Sequence, residues 1–380
     1  MEFRDLKAQY KRYKPEIDAA IQAVLENAAF IGGREVARLE ARLAEYVGVK
    51  HCITCANGTE AMTLVLMAWG IGAGDAVFVP DFTFFATGEA VSLRGATPVF
   101  VDVKKETFNM DPAKLEEAVA GVLKEGKLTP RAVIPVDLFG LPADHPEIER
   151  IAAKYRLKVL EDGAQGFGGS IRGKKALSFG DAAATSFFPA KPLGCYGDGG
   201  AVFTNDDALA ELVRSLKVHG KGADKYDNVR IGVNSRLDTI QAAVLNVKLA
   251  AFQNHELEDV RRVAKMYDER LRDIVETPLI PDGYESSFAQ YTIRLGSRAE
   301  RDALQSEMKK QGIPSMVYYA KPMHRQTAYA GLGYADSDFV VANELCGTVL
   351  SLPMHPYLRE EEIDRVASCI RNFYQGITAR

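Results

Sequence analysis

The sequence predicts an α/β protein: a large domain on a mainly parallel sheet, followed by a smaller α+β carboxyl-terminal domain. Three observations lead there. Between residue 51 and about 220, short apolar runs alternate with helical patterns. The stretch 236–272 then reads as one long helix leading out of that region. Beyond it, a strand-like run and further helical patterns make up a second, smaller unit.

Each element has a local reason. A first helix is expected to open near Pro15, a favoured first-turn residue, with Ile17, Ile21, Val24 and Leu25 on one face. A second places Val36, Leu39, Leu43, Tyr46 and Val47 on a stripe. The strand candidates are 51–56, 75–80, 97–103, 131–138, 157–162, 182–188 and 199–204. Such a sheet is covered by helices on both faces, and its ligands sit at the carboxyl ends of strands. In the second unit the strand is 289–295, Ser297-Arg298-Ala299-Glu300 is a capping box, and a last helix covers 359–376. The expected division is 1–245 for the amino-terminal arm and large domain, and 246–380 for the small domain.

Composition narrows the function classes. The chain has 380 residues, 47% of them apolar and 26% charged, as in an ordinary globular protein. A net charge of −4 argues against a nucleic-acid or anionic-membrane binder. The opening Met1-Glu2-Phe3-Arg4-Asp5 lacks a basic stretch followed by an apolar one, and no apolar run approaches membrane-spanning length. Five scattered cysteines fit a reducing compartment, so a cytoplasmic protein is expected. Cys52 and Cys55, beside His51, have metal-like spacing. They fall on an apolar strand with no second ligand pair, so buried strand cysteines and no metal are expected.

The chemistry sits at two strand ends. Glu161-Asp162-Gly163-Ala164-Gln165 closes one apolar strand, and Ser186-Phe187-Phe188-Pro189-Ala190-Lys191 closes a later one. A carboxylate and a lysine at neighbouring strand ends are what pyridoxal 5′-phosphate (PLP) requires. The amine holds the aldehyde as a Schiff base, and the carboxylate keeps the pyridine nitrogen protonated. Asp162 could equally cap the following loop, and most lysines are surface charges. Lys191, however, follows Pro189-Ala190 and precedes the glycine-rich 194–200, which favours a buried functional amine. Gln165 could reach the cofactor ring, and Ser186 would lie near a phosphate.

Three further segments add to this. In Asn57-Gly58-Thr59, at a strand-to-helix turn, Gly58 lets the backbone approach an anion at the positive end of a helix, with Thr59 adding a hydroxyl. A tight turn with an N-cap reads the same way. Phe84, after the strand ending at Pro80, could stack on a planar ring or pack in the core. Asn234 and Arg236, on their own, read as a loop and a helix-start charge.

Together these segments resemble the DegT/StrS family of nucleotide-sugar aminotransferases, essentially end to end. The resemblance is carried by Asn57 to Ala61, Thr83-Phe84-Phe85-Ala86-Thr87, Glu161 to Gln165, Ser186 to Gly200, and Gly232 to Ala243. It implies the type I PLP-dependent transferase (aspartate aminotransferase-like) fold. It implies Lys191 as the Schiff-base lysine and Asp162 as its pyridinium partner. Gly58, Thr59 and Ser186 become phosphate contacts, Gln165 a cofactor contact and Phe84 the stacking aromatic. Asn234 would reach the phosphate from the other subunit of a homodimer, with Arg236 close by as an anion-binding candidate.

A narrower resemblance, to UDP-2-acetamido-2-deoxy-3-oxo-glucuronate aminotransferases of bacterial surface-polysaccharide (O-antigen) synthesis, rests on 186–206, 232–243, 289–292 and Ser351 to Leu358. It implies L-glutamate as donor and a UDP-linked keto-sugar as acceptor. Two departures stand out: Tyr318-Tyr319-Ala320 replaces the usual His-Tyr-Pro, and Gly163 replaces the usual Ala, a change that reads as conservative. Tyr318 falls in the expected sugar pocket. His324 and His355 are either substrate contacts or packed loop histidines. Other readings are a 4-oxo sugar acceptor, a PLP-dependent deoxygenase (which has histidine at the lysine position), a non-catalytic regulator and an α/β protein without PLP.

Overall fold

The structure is a computed structural model and describes residues 1–224 and 226–378. Helices α1 (Leu6–Arg12), α2 (Lys14–Asn27) and α3 (Arg34–Val47) precede β1 (His51–Cys55). There follow α4 (Gly58–Ala68), β2 (Asp75–Pro80), α5 (Ala86–Ser92), β3 (Thr97–Val101), α6 (Pro112–Glu125) and β4 (Thr129–Val133). Next come α7 (His145–Tyr155), β5 (Lys158–Asp162), the short β6 (Ser170–Ile171) and β7 (Lys174–Lys175), β8 (Ala182–Ser186), β9 (Gly200–Thr204) and α8 (Asp207–Leu216).

The seven-stranded sheet has the order β1-β9-β8-β5-β4-β2-β3. Strand β9 runs antiparallel to both of its neighbours, and the other pairs in the sheet are parallel. Six of the seven strands lie within the sequence candidates; β4 begins at Thr129, ahead of the expected 131–138, and ends at Val133. They read as unbroken apolar runs because helices cover both faces: Val77 and Val79 of β2 belong to one core, Ala76 and Phe78 to another.

Helix α1 is absent from the sequence reading. Seven residues carry too little periodicity to register, but Asp5 Oδ1 accepts the Ala8 amide at 2.8 Å and caps the start. Pro15 lies in the first turn of α2.

Helix α9 (Thr239–Ala251) continues through a π turn (Phe252–Glu256) into α10 (Leu257–Leu271). The apolar neighbours change along it. Ala242, Leu245, Leu249 and Phe252 pack with the sheet and α3, whereas Val260, Val263, Tyr267 and Leu271 pack into a separate core. That second core also takes side chains of β11 (Tyr291–Arg294), α11 (Arg298–Lys310), β12 (Val349–Leu352) and α13 (Glu360–Thr378). Between α11 and β12 lies α12 (Val340–Thr348), whose buried face packs on the sheet side instead. Strands β11 and β12 pair antiparallel, and β10 (Tyr284–Glu285) joins β6. Ser297 caps α11 through the Glu300 amide at 3.2 Å. Glu300 reaches back to the Gly296 amide (3.1 Å), one residue earlier than in a regular capping box.

Candidate active site

Register brings the site together. Asp162 pairs with Ala184 across β5 and β8, and Gly200 lies opposite Ser186 on one side and Cys55 on the other. The carboxyl ends of β1, β5 and β8 therefore share one sheet edge, beside the start of α4. Two glycines make the approach possible. A Cβ on Gly200 would lie 2.4 Å from the Asn57 backbone, and one on Gly58 would lie 2.8 Å from Ser186 Cβ.

Asn57 caps α4 by accepting the Glu60 amide at 2.8 Å. The other first-turn amides of a helix have no intrahelical acceptor, so they and the helix dipole point at an anion placed before Gly58 and Thr59. Ser186 Oγ accepts the Phe188 amide at 3.2 Å and sits beside this turn.

Asp162 is buried. Its Oδ2 accepts from Thr87 Oγ1 at 2.8 Å and its Oδ1 accepts the Ala164 amide at 3.2 Å. Burial raises the acid's pKa, while the Thr87 hydroxyl, the Ala164 amide and the Lys191 charge pull it down. Lys191 follows β8 in a turn in which its amide donates to Phe188 O at 2.9 Å. Burial lowers the lysine's pKa, Asp162 raises it and the Arg4 guanidinium lowers it. The two groups are thus close enough to sense each other in a desolvated place, as the two strand ends imply.

Gln165 is also buried. Its Oε1 accepts the Phe139 amide at 2.6 Å and its Nε2 donates to Tyr319 Oη at 3.1 Å. Phe84 is 55% exposed, whereas Phe82, two residues earlier, is 1% exposed. The core reading fits Phe82 and leaves Phe84 with an uncovered ring, tilted 39° to Tyr319 at 6.2 Å. An uncovered aromatic, a helix start lined by glycine, and a buried carboxylate near a half-buried lysine together fit a planar, phosphorylated, cationic ring.

Tyr318 is half-buried between Phe3 and Tyr319, and burial raises its pKa. His324 is placed differently from a substrate ligand. Its Nδ1 meets Asp81 Oδ2 at 2.7 Å, its Nε2 meets Asp336 Oδ1 at 3.1 Å, and its ring stacks on Phe339. Both nitrogens are engaged by carboxylates, so His324 ties the 323–336 segment to the strand that leads to Phe84. His355 is buried, and burial lowers its pKa to about 4.

Asn234 is exposed and Arg236 half-buried. Between them Ser235 Oγ accepts the Ala56 amide at 3.1 Å, so this loop runs past the β1–α4 turn. The five cysteines are free and buried.

Sequence reasoning missed Thr87, Tyr319 and Asp137. Thr87 lies in a quoted motif, but nothing local says that its hydroxyl points at Asp162. Asp137, His145 and Glu161 form a buried cluster behind β5. Asp137 Oδ1 accepts from Ala143 N (2.9 Å) and lies 2.8 Å from His145 Nε2, while Glu161 accepts the amides of Leu177 and Phe179. Burial and the neighbouring Asp137 push the pKa of Glu161 well up, while the Leu177 and Phe179 amides pull it down. A Cβ at Gly163 would lie 2.3 Å from Leu177 Cδ2, so an alanine there needs that side chain to shift.

Residues 11–371 match the DegT/DnrJ/EryC1/StrS aminotransferase family. A UDP-2-acetamido-2-deoxy-3-oxo-D-glucuronate aminotransferase of Pseudomonas aeruginosa is 46% identical over 98% of this chain and 100% of its own. A UDP-N-acetyl-3-dehydro-alpha-D-glucosamine 3-aminotransferase of Acidithiobacillus ferrooxidans is 43% identical over 98% and 97%. The crystal structure of a DegT DnrJ EryC1 StrS aminotransferase from Brucella abortus superposes with a TM-score of 0.96, at 51% identity over 98% of this chain and 99% of that one. With the fold, the sheet-edge site and end-to-end likeness agreeing, the chain belongs to the DegT/DnrJ/EryC1/StrS aminotransferase family.

Proposed function

We propose that the chain transfers an amino group from L-glutamate to a UDP-linked keto-sugar, with UDP-2-acetamido-2-deoxy-3-oxo-glucuronate as the foremost acceptor. The observation that carries the reading is the buried Asp162 with the half-buried Lys191 at the sheet edge beside the start of α4. The two 3-oxo-sugar enzymes among the relatives support the acceptor class.

The cofactor is PLP, which supplies an aldehyde to carry the amino group and a ring that accepts electrons. In our reading the first turn of α4, with Gly58, Thr59 and Ser186, holds its phosphate. Phe84 covers one face of the ring, and Gln165 orients its edge. Asp162 holds a proton on the ring nitrogen, and the desolvated site strengthens that pairing. Lys191 would anchor the cofactor, and its free amine would be the base that takes the proton from the donor's α-carbon and later gives it back. The same residues run the second half in reverse, with the keto-sugar as acceptor.

The assembly we propose is a homodimer in which Asn234 of each subunit completes the other's phosphate site, with Arg236 beside it for an anionic part of the sugar nucleotide. The apolar Val229 and the 90% exposed Ile231, just before Asn234, support a covered position for this loop. No helix among the described residues is long and apolar enough to cross a membrane, and a cytoplasmic place is part of the proposal.

The test is single-turnover spectroscopy on enzyme pre-reacted with glutamate. UDP-linked 3-oxo and 4-oxo sugars are then offered one at a time. Return of the visible band with the 3-oxo-glucuronate compound alone is expected. Return only with a 4-oxo sugar overturns the acceptor assignment.

A further inference from the structure

The amino-terminal arm places a permanent cation against the lysine of the site. Arg4 Nη2 donates to the main-chain carbonyl of Lys191 at 2.9 Å, across 187 residues of sequence. The arm is held on both sides of Arg4. Before it, Phe3 O accepts the Met354 amide at 3.0 Å and the Phe3 ring meets Tyr318 edge-on at 6.2 Å. After it, Asp5 caps α1, from which Gln9 Nε2 donates to the buried Glu256 at 3.1 Å. Arg4 is thus fixed between the β12–α13 segment, the π turn and the site.

Several charged groups share this space. Asp162 faces Lys191 from β5, and Arg4 faces it from the arm. Around Arg4 lie Glu256 from the π turn and Tyr357 from the segment before α13, and Tyr357 donates to Glu256. Lys248 of α9 is buried, and burial and then Arg4 hold it down at about 8. His355 senses both Arg4 and Asp5. Among these cations Arg4 is the one whose charge persists at every working pH.

We propose that Arg4 is a positioning residue for Lys191: its guanidinium fixes the lysine's main chain and brings a lasting positive charge to the turn that carries the amine. The proposal rests on Lys191 being the cofactor-bearing lysine. Burial is the largest influence that lowers the amine's pKa; Asp162 favours the protonated form, and the smaller effect of the Arg4 charge opposes it. Burial and the Arg4 charge both lean the base that must collect a proton from the donor toward its unprotonated form.

The experiment compares wild type, Arg4→Met, Arg4→Lys and Lys191→Ala, each loaded with PLP. It reads the pH midpoint of the visible band of the lysine-bound cofactor, PLP affinity by equilibrium dialysis, and melting temperature. Arg4→Met is expected to move the midpoint upward and weaken PLP binding. Arg4→Lys, which keeps the charge, is expected to hold the midpoint near wild type. If Arg4→Met does not fold, Arg4→Gln keeps a hydrogen-bond donor without the charge and reads the same midpoint.

Unchanged midpoint and affinity, with only a lower melting temperature, would overturn the proposal and leave Arg4 as arm packing. A wild-type band that persists in Lys191→Ala would overturn the Lys191 reading itself, a result distinct from a failure of Arg4 alone.

Discussion

Thr87 donates its hydroxyl hydrogen to Asp162 Oδ2 at 2.8 Å, linking α5 to the end of β5 inside the site. It is the largest of the influences that lower the pKa of a carboxylate that burial raises. Thr87→Val keeps the shape and removes the donor, so the ionised form of Asp162 loses about 1.5–3 kcal/mol of support. The acid limb of the pH profile for kcat/KM is expected to move upward. An unmoved limb would mean that Asp162 is held by other groups.

Lys191→Ala is expected to lower kcat by at least roughly 10³-fold, because it removes both the anchor and the proton carrier. Steady-state production of 2-oxoglutarate from glutamate measures this. Near-wild-type turnover would remove Lys191 from the chemistry.

Burial and the neighbouring Asp137 raise the pKa of Glu161 well above its ordinary value of 4.5 in the folded chain. The folded state therefore binds a proton that the unfolded state releases, and stability falls as pH rises from about 4.5 toward the folded value. Glu161→Gln removes this titration. Urea unfolding at pH 5 and pH 8 should show the variant losing more stability, relative to wild type, at pH 5. Equal losses at both would indicate an ionised Glu161.

His324 pairs with Asp81, whose acid group burial raises to about 6 despite the hydrogen bonds from the His324 amide and ring. His324→Ala removes the ring partner and leaves the backbone amide of residue 324 on that buried carboxylate, a loss of about 1–3 kcal/mol. Asn, which restores a donor near the Nδ1 position, should recover part of it. Chemical denaturation separates this role from substrate contact, which would instead change KM with stability intact.

Gly163→Ala should destabilise the chain by about 1–3 kcal/mol, because Leu177 must give way to the new methyl group. A melting temperature equal to wild type would show that Leu177 moves freely.

Much of this protein is legible without coordinates. Apolar runs such as Ala76 to Val79 reveal sheet strands, since a strand buried on both faces has no polar positions. Asp162 and Lys191 are readable because strand ends in such sheets carry ligands, and the motifs around them are contiguous. What resists reading depends on distance in sequence. The Thr87 hydroxyl finds Asp162 75 residues away, Arg4 finds Lys191 187 away, and His324 finds Asp81 243 away. Each of these is a short side chain–side chain or side chain–backbone bond whose partner is chosen by packing.

Gly163 makes the same point on a smaller scale. Its sequence neighbours suggest a harmless change, yet Leu177 fills the space a methyl group would need. Periodicity and contiguous motifs determine the strands, the helices and the lysine–carboxylate pair, because those depend on local burial and local backbone geometry. The supports around that pair are decided by the tertiary fold, because a buried donor or charge must find a partner wherever the chain brings one within about 3 Å.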